Sequence, residues 1–153
     1  MKDEAMDFSF FEKDFRAVSL GDDLKIFNQK SGLTVDEAFS FDSEKEAFTS
    51  LDYFVSAVLS EILLSMKKLA RKKNIIIQDL EAKAKLTIRN PMYLLSVVGY
   101  EDKASIASLE IDIYFFSFLE EAEKAQFLQE VLDRTLLYNT LSSFVSVHFK
   151  SLV

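Results

Sequence analysis

Residues 49–73 read TSLDYFVSAVLSEILLSMKKLARKK, and this stretch decides the fold. Thr49 followed by Asp52 fits a capping box in its hydroxyl-then-acid form, the mark of a helix start. Leu51, Val55, Val58, Leu59, Ile62, Met66 and Leu69 then fall within one broad face at the 3.6-residue period. Glu61, Ser65, Lys68 and Lys72 run down one flank, and Asp52, Ser56, Ser60 and Lys67 down the other. The spacing predicts a helix to about Lys73, packed on several sides in its first half and solvated in its second. Its longest apolar run, residues 54–66, is interrupted by Ser56, Ser60, Glu61 and Ser65. That falls short of the roughly 20 apolar residues of a membrane span, so a buried helix is expected and no membrane partner.

Downstream, Asn74 ends the helix and alternation sets in. Leu80, Ala82, Ala84, Leu86 and Ile88 point one way, and Glu81, Lys83, Lys85, Thr87 and Arg89 the other, as in a half-exposed strand. Asn90 and Pro91 suggest a turn, with residues 92–98 returning as an apolar antiparallel strand. Residues 107–116 predict a third strand with Leu109, Ile111, Ile113 and Phe115 inward. Ser117 followed by Glu120 reads as a second capping box, opening a helix to about Arg134 with a seam of Ala122, Ala125, Leu128, Val131, Leu132 and Thr135. Val145, Val147 and Phe149 alternate in a final strand. Upstream, residues 6–11, 15–20 and 24–27 suggest two or three short strands, and residues 29–48 a loop with a helical turn at 35–39. Strands, long helix, three strands, helix and strand make an α+β plan, taken as one domain over residues 1–153.

Composition narrows the function. The 153 residues carry 49% hydrophobic side chains, enough for a core. A net charge of -7 and a pI near 4.8 disfavour nucleic acid, whose binding rests on Lys and Arg neutralising phosphates. The acidic start MKDEAMDFSFFEKD lacks a long apolar core and a small-residue cleavage site, so a cytoplasmic protein is expected. Cysteine is absent, so no step can run on a thiol. The single histidine, His148, has no His or Cys neighbour to complete a metal site, and Gly21, Gly32 and Gly99 are too far apart for a phosphate loop. No cofactor is expected.

Two stretches resemble the OsmC/Ohr family of organic-hydroperoxide reductases. Residues 49–61, followed by LARKK at 69–73, look like the family's helix that carries a reactive cysteine and ends in a basic tail; Glu61 stands at the cysteine position. Residues 135–142, TLLYNTLS, look like the family's Cys-Pro-Val-His-Asn-Thr-Leu-Ser, which puts Thr135 at the second cysteine. The resemblance covers about residues 49–149, and Asn139-Thr140-Leu141-Ser142 is its most specific part. The family's prolines are replaced by Ser50 and Leu136, its helix-start glutamate by Leu51 with Asp52 beside it, and its N-terminal arginine corresponds to Arg16. The resemblance implies an intertwined homodimer with two pockets at its interface.

In that frame Glu61, Thr135 and Arg16 are the candidate binding residues, and no catalytic residue is assigned. A carboxylate on a mostly buried helix is costly unless paired or solvated. The functional reading of Glu61 is a polar group lining the ancestral pocket. The plainer reading, preferred here, is a partly exposed acid satisfied by Lys68, Lys72 or a charge from a partner chain. Thr135 at a helix end is more often a hydroxyl bonded to nearby backbone, and the Phe-rich segments 8–15 and 114–118 suggest core and dimer interface. Two functions follow. One is a catalytically silent OsmC-like dimer that binds a small apolar ligand or a protein partner; the other is an enzyme of unrecognised type using Glu61 as acid or base.

Overall fold

The computed structural model describes residues 10–42 and 44–151, which form two compact units divided after Tyr53. In the first, β1 (Arg16–Leu20), β2 (Asp23–Phe27) and β3 (Gly32–Val35) make an antiparallel sheet in the order β1-β2-β3. Gly21, at φ +65°, takes the left-handed conformation that the tight β1–β2 turn requires. At the next turn Asn28 Oδ1 accepts the N–H groups of Lys30 and Ser31 at 2.9 and 2.8 Å. Gly32 is needed for space, since a Cβ there would lie 2.7 Å from the Phe27 ring.

Three upstream expectations need correction, the first being the loop over residues 29–48, within which Gly32–Val35 form β3. The helical turn placed at residues 35–39 is absent: Val35 ends β3, and residues 36–39 form no helix. Residues 6–9 lie outside the described residues, and Phe10 and Phe11 belong to no strand. Both are exposed, as is Phe15, so these rings are not core within their unit.

Helix α1 (Ser50–Lys72) starts where its capping box predicts. Thr49 N–H donates to Asp52 Oδ2 at 2.8 Å, and Asp52 N–H donates to Thr49 Oγ1 at 3.3 Å. It ends on Asn74, whose φ of 56° closes the last turn while Ile75 N–H reaches back to the Ala70 carbonyl at 2.8 Å. Its buried residues Val58, Ile62, Met66, Leu69 and Ala70 follow the helical repeat to the end. The second half is therefore anchored along one stripe, where more general solvation was expected.

In the second unit β4 (Ile77–Arg89) and β5 (Ser105–Ser117) pair antiparallel, and β6 (Val145–Ser151) joins β5 in parallel, giving the order β4-β5-β6. A parallel neighbour needs a crossover, and α2 (Glu121–Asp133) with α3 (Leu136–Leu141) supplies it. Because β5 is central, its inward residues Leu109, Ile111, Ile113 and Phe115 are fully buried, against Val58, Ile62 and Met66 of α1 and Phe127 and Val131 of α2. Burying each such side chain contributes about 1.5–3 kcal/mol, so this cluster holds the unit together.

Three expectations for this unit fail. Residues 92–98 are not a strand. Asn90, at φ 54°, turns into a short 3-10 helix, Pro91–Leu95, which Ser96 closes at φ 54°. β4 therefore pairs directly with β5, and Leu94, Leu95 and Val98 remain exposed. The second capping box lies three residues later than placed. Ser117 belongs to β5, and Glu120 caps α2 with its N–H donating to Glu123 Oε2 at 3.2 Å. The seam of α2 keeps the expected Leu128, Val131 and Leu132, with Thr135 buried just beyond it, but Lys124 and Phe127 take the places of Ala122 and Ala125, which are exposed.

Candidate functional site

Glu61 lies three turns into α1, and its carboxylate points at the junction between α2 and α3. Oε1 accepts the Leu136 N–H and Oε2 the Leu137 N–H, each at 2.8 Å. The first amides of a helix lack intrahelical acceptors, so a carboxylate placed there satisfies both. Its partners are thus backbone amides from 75 and 76 residues later in the chain, and the expected pairing with Lys68 or Lys72 does not form.

Thr135 is fully buried immediately before these amides. Its Oγ1 donates to the Leu132 carbonyl at 2.6 Å, and its own carbonyl accepts the Asn139 N–H at 3.0 Å. The hydroxyl is thereby committed to backbone. Asn139 Nδ2 donates to the Asp133 carbonyl at 3.0 Å, and Thr140 Oγ1 to the Leu136 carbonyl at 2.8 Å. Asn139 therefore fastens α3 to the end of α2, while the Thr140 bond lies within α3. One turn beyond Glu61, Ser65 Oγ donates to the Val131 carbonyl at 3.4 Å. Glu61 and Ser65 act together as a clasp from α1 onto the α2–α3 corner.

Beside the clasp runs an open groove of about 670 Å³ lined by Glu61, Leu64, Ser65, Lys68, Leu69, Lys72 and Arg134. Its polar edge is the same flank of α1 that the sequence sets apart. Arg134 Nη2 donates to Glu130 Oε1 at 3.1 Å, and Glu130 also bonds Lys73. The Lys73 hydrogen bond, aided by Arg134 and opposed by burial, holds the Glu130 carboxyl below its ordinary range. A second groove of about 710 Å³ lies on the other side of Leu64, with Leu63, Ile75, Ile76, Ile77 and Leu80 as its apolar lining and Lys67 and Arg71 among its polar residues. Leu64 is 62% exposed between the two.

Of the three candidate residues, Glu61 and Thr135 meet at one corner of the second unit, whereas Arg16 is an exposed residue of β1 in the first. Sequence reasoning missed Ser65 as part of the clasp and the Leu136 and Leu137 amides as its target. The stripe Glu61, Ser65, Lys68 and Lys72 was the available signal for the first; a backbone amide leaves none. His148 is exposed on β6, and among the described residues no cluster of three or more His, Cys, Asp or Glu is arranged to hold a metal. No described helix is long and apolar enough to cross a membrane.

No protein-family pattern and no curated protein matches the sequence. Solved structures do match the fold. An OsmC-like protein from Mycoplasma pneumoniae superposes with a TM-score of 0.68 at 20% identity, over 93% of this chain and 96% of that one. An OsmC-like protein of unknown function from Vibrio cholerae gives 0.67 at 10% identity, over 92% and 100%. The organic hydroperoxide resistance protein OsmC of Legionella pneumophila gives 0.60 at 13%, over 95% and 99%. The chain has the OsmC-like α+β fold, and it has it without a cysteine.

Proposed function

We propose that this protein is a catalytically silent homodimer of the OsmC type, which binds a small apolar ligand or a protein partner through a pocket at the dimer interface. The observation that carries this reading is the clasp. At the positions where the resemblance puts two thiols, Glu61 holds the Leu136 and Leu137 amides and Thr135 holds the Leu132 carbonyl. A thiol peroxidase needs a thiolate to attack the peroxide oxygen and a second thiol to resolve the sulfenic acid. A carboxylate bound to two amides and a buried hydroxyl do neither. Support for self-association comes from the apolar groove beside Leu64 and from the exposure of Leu64 and Ile76, at 62% and 59%.

The reading of Glu61 as an acid or base is less well supported. Each carboxylate oxygen already accepts an N–H, so proton transfer would compete with the cap on α3. The test joins two measurements on natively purified protein. Consumption of an alkyl hydroperoxide with a dithiol reductant should equal the blank, and native mass spectrometry should find a dimer, with or without a retained small molecule. Heat-sensitive peroxide turnover would refute catalytic silence, and a stable monomer at micromolar concentration would refute the dimer.

A further inference from the structure

Lys68 and Lys72 stand one helical turn apart on the stripe of α1 that begins with Glu61, and both line the groove beside it. The acid that should neutralise them turns instead to the Leu136 and Leu137 amides and pairs with neither lysine. Among the described residues neither lysine makes an ion pair or a hydrogen bond. Across the groove Arg134 shares Glu130 with Lys73. The groove therefore holds two cations without counter-ions in a chain whose net charge is -7. Leu64, largely exposed, and Leu69, buried, line the same groove. A volume of about 670 Å³ falls within the usual range of small-molecule sites.

We infer that this groove takes an amphipathic anion: a carboxylate or phosphate head between Lys68 and Lys72, with a medium-length alkyl tail along Leu64. Charge complementarity selects the head, since an ammonium fits one anionic oxygen at a time and two ammoniums one turn apart fit a head with two or three. Leu64, the exposed apolar residue of the lining, selects the tail. A free phosphate lacks the tail and a neutral alcohol lacks the charge. The inference rests on the ligand-binding reading above and names the ligand class.

Isothermal titration with octanoate, octyl phosphate and octanol tests it, with amide chemical shifts locating the site. Octanoate and octyl phosphate should bind and move the Leu64, Ser65 and Leu69 amides, while octanol binds at least about tenfold more weakly, as expected for the loss of two charge-assisted contacts. The double variant Lys68→Glu/Lys72→Glu should lose about tenfold or more for octanoate and nothing for octanol. Lys83→Glu/Lys85→Glu, which makes the same change in net charge on β4, should leave octanoate binding intact. Equal affinity for octanoate and octanol, indifference to the Lys68/Lys72 reversal, or equal losses in the two double variants would overturn the anion assignment and leave apolar binding standing. If none of the three probes binds, ligand binding at this groove fails as well.

Discussion

Glu61 and Leu136, 75 residues apart in sequence, meet at 2.8 Å between a carboxylate oxygen and a backbone amide, and the Leu137 amide completes a two-pronged contact. This joint does mechanically what a covalent link at the same corner would do: it fixes α3 against α1. Hydrogen bonds to a charged group contribute about 1.5–3 kcal/mol each when half-buried, against about 1 for neutral ones. Removing the carboxylate also leaves two helix amides without an acceptor.

Water reaches the 72% exposed Leu136 and offsets part of the loss of the two bonds, so Glu61→Ala is expected to destabilise the protein by about 1.5–3 kcal/mol in all. Glu61→Gln, which keeps one acceptor oxygen, should cost less. Urea denaturation followed by circular dichroism ranks the two. A loss below about 0.5 kcal/mol for Glu61→Ala would mean that α3 holds its place without the clasp.

Ile62 and Leu64 are neighbours on α1 with opposite surroundings, the first fully buried and the second 62% exposed. Ile62→Ala should cost about 2–5 kcal/mol, the range for a cavity in a packed core. Leu64→Ala should stay within about 0.5 kcal/mol for the unfolding of the subunit itself. Its effect belongs to association: sedimentation of Leu64→Glu should move the protein towards monomer if the dimer uses this ridge.

How much of this was legible depends on how local the determining interaction is. The start of α1 was readable because Thr49 and Asp52 bond each other across three residues, and its end because Asn74 takes the αL cap next to the last turn. The core face of β5 was readable from its strict alternation. By contrast, α3 has only six residues, too few for a helical repeat to emerge, and its acceptor for Leu136 and Leu137 comes from Glu61 in another helix. Residues 92–98 misled for a different reason. Their apolar run suits a strand, yet the αL residues Asn90 and Ser96 turn the backbone on either side of Pro91–Leu95. At Glu61 itself the sequence offered charged partners, since lysines are visible in it and helix N–H groups are not.

Acid should weaken the protein partly through Glu130. Its folded-state carboxyl is held below the ordinary value by Lys73 and Arg134, so its contribution is fully present above the unfolded carboxylate value. That contribution is lost as pH falls through the folded one. Glu130→Gln should flatten the acid limb of the stability curve without changing its neutral-to-alkaline limb. An acid limb of unchanged slope in thermal melts would show that the Lys73 and Arg134 contacts add nothing in solution.

The double substitution Glu61→Cys/Thr135→Cys is expected to form a disulfide under mild oxidant without restoring peroxide turnover. The first half rests on the clasp: the Glu61 side chain already reaches the amide directly following Thr135, so the two backbones approach at this corner. Disulfides need Cα atoms roughly 4.4–6.8 Å apart, which makes bond formation a geometric test of whether Glu61 and Thr135 occupy facing positions. The second half rests on what surrounds the new thiols. A thiolate forms readily only beside a cation or an oriented donor, and the Thr135 side chain is buried and directed at a carbonyl, which stabilises no anion. Leu51 and Asp52, at the start of α1, supply no such cation either. Thiol titration before and after mild peroxide, paired with a peroxide-consumption assay, separates the outcomes. Two thiols that remain free reject the facing placement. Rapid turnover would show instead that a nearby cation, with Lys68 the first to remove, activates a thiol at position 61.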